Sequence, residues 1–168
     1  MSDRAEGHFG EVFLQYGFAM YLANVLELRL RNILTSALIL TDPDPTRDRF
    51  DELLVVNQGK TMGVLITKLI PYIQSDFGLK EELDSILILR NRLAHDFFRE
   101  HYLNFLTENG RDRMLTELLS ARDSFKNTHS RTDGAWEHYL KIHGATSLED
   151  QDKKASAELE ERIRREVD

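Results

Sequence analysis

Apolar side chains recur every three or four residues over the first forty positions: Phe9, Val12, Phe13, Tyr16, Met20, Ala23, Leu26, Leu30, Ile33, Leu34, Ala37 and Leu38. That spacing predicts one long helix from about Phe9 to Leu40 with a wide apolar stripe. The segment Thr41-Asp-Pro-Asp-Pro-Thr46 ends it. Asp44-Pro45 reads as an N-cap followed by proline at the first helical position, so a short helix should run to about Val56. Asn57-Gln-Gly-Lys60 reads as a turn, and Met62, Leu65, Ile66, Leu69 and Ile70 place a further helix over 61–73, weakened near Pro71. From around Ser75-Asp-Phe-Gly78 the pattern predicts a single helix to about Leu106. Asn109-Gly110 should break the chain, followed by a helix over 111–128 and a short one over 135–142 that holds the only tryptophan.

From Ser147 on, Ser-Leu-Glu-Asp has the form of a capping box, and only Leu148, Leu159, Ile163 and Val167 are apolar among many charges. This predicts a charged helical tail over 146–168, exposed or resting on a partner, beyond a helical domain over 1–145. Alternation with period two is nowhere sustained, so the fold class is all-α: a bundle of about five helices plus the tail.

Composition narrows the function classes. A length of 168 residues suits one domain with a substantial core. The chain has no cysteine, which removes disulfides, thiolate nucleophiles and zinc–thiolate sites together. No apolar run reaches the roughly 18 residues a membrane span needs, and the first residues lack the build of a signal peptide. A cytoplasmic location without membrane attachment is the expectation. The net charge of −7 argues against broad non-specific binding to nucleic acid. The charge is uneven: residues 90–131 carry a net +2, against −5 over 1–89 and −4 over 132–168.

Among candidate chemistry, Gly59-Lys60-Thr61 lacks the glycine five residues earlier that a phosphate-cradling loop needs. That position is Leu54, and the tripeptide reads as a turn and helix start. The six histidines form no pair with metal-ligand spacing, and no cofactor or metal is expected. Arg90-Asn91-Arg92-Leu93-Ala94-His95 is different, because it sets charges at the end of the apolar run Leu83–Leu89. Charged side chains are costly among Ile and Leu unless paired or functional. At about 100° per residue, one helix face collects Asp84, Ile88, Asn91, Arg92, His95, Arg99 and Tyr102, and the other Ile86, Leu89, Leu93 and Phe97. Arg90 falls about 140° from His95, toward the apolar side. It must snorkel, pair with a buried acid, or curl back where the helix is distorted.

This hexapeptide resembles the Arg-(four to six residues)-His signature of the HEPN superfamily (higher eukaryote and prokaryote nucleotide-binding domains), in which a polar residue follows the Arg. The apolar run before it, the pair Phe97-Phe98 after it, and the long first helix with Tyr16-Gly17 and Leu26-Glu27 agree with that resemblance. The resemblance implies a homodimeric helical bundle whose two motifs face one another in a cleft. It also implies a metal-independent endoribonuclease of a toxin or anti-phage defence type, with RNA as substrate and an antitoxin or regulatory protein as partner. On that footing Arg90, Asn91 and His95 are catalytic: His95 transfers the proton, Arg90 clamps the phosphate and Asn91 orients one of them. Arg92 and Arg99 contact substrate. Phe97 stands where family toxins silenced by nucleotidylation carry Tyr, which speaks against an antitoxin of the nucleotidyltransferase kind. The alternative is a non-catalytic helical protein of the same fold that binds a nucleotide, a nucleic acid or a protein.

Overall fold

The computed structural model describes residues 3–73 and 77–144, with backbone only for 3–7. Among them are seven helices and no strand: α1 Asp3–Leu40, α2 Arg47–Gln58, α3 Met62–Ile73, α4 Leu79–His95, α5 Phe97–Glu100, α6 Tyr102–Phe105 and α7 Glu108–Ile142. None is long and apolar enough to cross a membrane. The expected tail and its capping box lie outside the described residues.

The apolar stripe of α1 becomes one wall of the core. Val12, Ala19, Ala23, Leu26, Leu30, Ile33, Leu34 and Ala37 are all buried, and apart from the adjacent pair Ile33 and Leu34 they are spaced by three, four or seven residues. The other long helix, α7, lies along α1 and contributes Met114, Leu118, Ala121, Phe125, Ala135, Trp136 and Leu140. Helices α3 and α4 fill the remaining side with Leu65, Leu69, Ile73, Leu83, Ile86 and Leu93. Burial of this set is the main stabilising term, on the order of 1.5–3 kcal/mol for each large side chain.

Polar clamps set the helices against one another. The Asn57 amide of α2 donates to the Thr35 hydroxyl of α1 at 2.9 Å, and both side chains are buried. Arg29 of α1 donates to Asp133 of α7 at 2.5 Å. Glu82 of α4 accepts from the Thr128 hydroxyl at 2.6 Å and from Arg131, both on α7.

The first helix starts at Asp3 and not near Phe9, and α2 runs on to Gln58 through part of the expected turn; four further differences from the sequence expectation concern caps and breaks. The second helix is capped by Thr46, whose side chain accepts from the Arg49 N–H, and not by Asp44 ahead of Pro45. The expected helix from 78 to 106 ends at His95: Asp96 leaves helical geometry at φ −123°, and the short helices α5 and α6 follow at an angle that inserts Phe97 into the core. Asn109-Gly110 does not break the chain but lies in the first turn of α7, where the Gly110 N–H is accepted by the capping Thr107 hydroxyl. A Cβ on Gly110 would collide with the backbone of Asn104, so the glycine serves close packing of α6 on α7. Finally, the two expected C-terminal helices are one, α7, continuous through Gly134.

Candidate functional site

The Arg90–His95 motif occupies the last turn and a half of α4. Leu93 on its inner face is buried, and its carbonyl accepts from the Tyr16 hydroxyl of α1 at 3.2 Å. Tyr16 in turn packs on Phe97 and Phe98, with ring centroids 5.8 and 4.8 Å apart. The tyrosine and the aromatic pair therefore fix the end of α4 against the first helix.

Arg90 resolves its misplacement on the apolar side by meeting an acid. Its Nη2 lies 3.5 Å from Oε2 of Glu27, a largely buried carboxylate on α1, and its Nη1 donates to Asn91 Oδ1 at 3.2 Å. Glu27 also faces Arg31, one turn along α1, at 3.4 Å. One carboxylate is thus shared by two guanidinium groups. The Nε of each is buried with no acceptor among the described residues.

These groups open onto a cleft of about 460 Å³ between α1, α4 and the α2–α3 linker. Glu27 and Arg31 line it from α1, Gln58 through Gly63 from the linker and the start of α3, and Leu87, Arg90 and Asn91 from α4. Lys60 reaches back to cap α2, donating to the Val56 carbonyl at 2.7 Å. The linker is the Gly59-Lys60-Thr61 turn, with Gly59 as the C-cap of α2.

His95, the last residue of α4, is exposed and makes no hydrogen bond or ion pair among the described residues. It does not line the cleft. Asn91 does, and lies one turn before His95 on the same helix face. Arg90 and Asn91 thus share a cavity, and His95, one turn on, has no partner among the described residues.

The other two expected substrate contacts are engaged by protein carboxylates. Arg92 donates through Nε to Glu100 at 2.6 Å and through Nη1 to Glu117 of α7. Hydrogen bonds donated to Glu117 first and Glu100 second hold its guanidinium pKa above the ordinary value. Arg99 is exposed and donates to Asp96 at 2.5 Å. His101, which has no expected role, is buried in the same network. It accepts from the Asn104 amide at Nδ1 and reaches Glu117 through Nε2, each at 2.9 Å. Phe97 packs against its ring at 4.7 Å. This cluster ties the turn after α4 to α7.

Among the described residues no three acidic or histidine side chains converge as metal ligands. Three groups of the cleft, Glu27, Arg31 and Lys60, escape sequence reasoning. The one signal for the first two is their i,i+4 spacing on an otherwise apolar stretch of helix. For Lys60 only the folded path of the linker reveals it. Compared with protein families, curated proteins and solved structures, the chain finds no match.

Proposed function

We propose that the chain is a HEPN-like metal-independent endoribonuclease of a toxin or anti-phage defence type, active as a homodimer. The observation that carries this reading is the state of His95: exposed, without a partner among the described residues, at the end of α4 and one turn from Asn91. His101, by contrast, is buried and held by Glu117 and Asn104. Histidine is the side chain suited to proton transfer near neutral pH.

The chemistry needs little else. His95 removes the proton from a ribose 2′-OH, and that oxygen attacks the adjacent phosphorus. The bond from phosphorus to the 5′-oxygen breaks, a 2′,3′-cyclic phosphate forms, and the departing 5′-oxygen takes a proton. A second His95, from the facing copy, supplies that proton. Arg90 stabilises the charge that gathers on the phosphoryl oxygens. Ile88, 69% exposed on the face shared with Asn91 and His95, offers an apolar contact for a second copy of α4.

A second reading has its own support. Arg90 turns into the cleft with Glu27 and Arg31, on a side of the helix about 140° from His95. That placement suits a non-catalytic binding protein of the same fold. His95→Ala separates the two. The enzyme loses roughly 10²–10⁴-fold in RNA cleavage with its fold intact, and growth arrest on expression is relieved at equal solubility. Wild-type protein that is folded and dimeric yet cleaves nothing in a pool of tRNA, rRNA and mRNA selects the binding reading.

A further inference from the structure

We infer that the cleft between α1, α4 and the α2–α3 linker binds the phosphate of a small hydroxylated phosphomonoester, at a site distinct from His95. Four observations converge on it. Arg31, Lys60 and Arg90 line the cleft against the single carboxylate of Glu27, leaving two positive charges in excess in a chain whose net charge is −7. A phosphomonoester dianion carries the matching charge.

The cations are also incompletely satisfied. Glu27 is divided between two guanidinium groups at 3.4 and 3.5 Å, both longer than a charge-assisted hydrogen bond. The Nε of both arginines has no acceptor among the described residues, as is also true of Arg111 and Arg122 outside the cleft. An anion in the cleft gives the two guanidinium groups that share Glu27 further acceptors, and the planar guanidinium is the group best matched to phosphate oxygens.

Size and lining then define the rest of the ligand. At about 460 Å³ the cleft is in the range of small-molecule sites and much larger than a phosphate. Thr61, Asn91 and Gln58 border it, and the Asn91 oxygen already accepts from Arg90, so its NH₂ is the group left to donate. These neutral donors and acceptors suit hydroxyl groups of a sugar. Lys60 is half-buried and bonded only to a backbone carbonyl at a helix end, a contact it can leave for a ligand phosphate.

Arg90 and Asn91 belong to the proposed RNA site as well, but His95 does not line the cleft, so this binding does not require His95. Calorimetry on the full chain tests it with inorganic phosphate, ribose 5-phosphate and AMP, and with ribose and adenosine as phosphate-free controls. At least one ester should bind with a Kd of about 1 mM or tighter, and neither control should bind. Lys60→Gln should weaken that binding tenfold or more with an unchanged circular dichroism spectrum. Lys60→Arg should restore it, and His95→Ala should leave it intact. A tighter AMP or a tighter ribose 5-phosphate identifies a nucleoside or a bare sugar as the body. The inference is overturned if neither ester binds at about 10 mM. It is equally overturned if Lys60→Gln binds as well as wild type, or if inorganic phosphate binds as tightly as both esters.

Discussion

Two arginines two positions apart on α4 meet opposite fates, and the difference lies in what each helix face touches. Arg90 faces α1 and shares Glu27 with Arg31 at the edge of a cleft. Arg92 faces the turn after α4 and is held by Glu100 and Glu117. Arg92→Ala should therefore act on stability before activity. Its side chain is about a third exposed, and partly exposed ion pairs contribute at most about 1 kcal/mol each. Loss of both should cost about 1 kcal/mol and lower the melting temperature by roughly 2–4 °C. RNA cleavage measured well below that temperature should fall less than tenfold. A loss as large as that of His95→Ala, without a change in melting temperature, would make Arg92 a substrate contact. The polar and apolar faces of this segment were legible from the 100° spacing, as was the demand that Arg90 find a partner. Which acid answers it was not, because Glu27 lies 63 positions away on another helix.

At the scale of elements, capping and close packing overrode local punctuation. Asn109-Gly110 has the composition of a breaker, but Thr107 caps α7 two residues earlier and Gly110 lets α6 approach. Gly134 likewise sits inside α7, exposed and with open space around it. Gly134→Ala should stabilise the protein by about 0.5–1 kcal/mol, because alanine surrenders less backbone freedom and meets no neighbour. Thermal denaturation should show a rise of a few degrees, and a fall would mean the helix is interrupted there. The same reasoning explains the missed end of α4. Periodicity runs on through Phe97, Phe98 and Tyr102, yet α4 ends at His95, and Phe97 packs beside Tyr16 and His101. The break at Asp96 keeps i→i−4 bonds on either side of it and leaves Phe97 buried, so periodicity alone carries no signal for it. The long first helix and the all-α class needed no such knowledge, since their stripe is unbroken in sequence.

At the scale of the molecule, one face of α4 remains uncovered by the bundle. Ile88 is exposed there beside Asn91 and His95, while Leu83, Ile86 and Leu93 on the other side are buried. If a second copy covers this face, wild-type protein should run as a dimer by light scattering at micromolar concentration. Ile88→Lys should shift it to the monomer without loss of helical content, since the side chain touches no core. Monomeric wild-type protein would remove the two-fold cleft from the account. The cleft lined by Lys60 was invisible to motif reading, because Gly59-Lys60-Thr61 fails as a phosphate loop and gains its charge partners only when α1 and α4 pack around it.

If His95 transfers the proton in RNA cleavage, the chemistry of the product ends records it. Purified wild-type protein with chelator present, incubated with a mixed RNA pool, should give fragments ending in 2′,3′-cyclic phosphate and 5′-hydroxyl. His95→Ala, folded to the same degree, should give them at least about a hundredfold more slowly. Intact RNA after incubation with folded wild-type protein, or equal cleavage by His95→Ala, would contradict it.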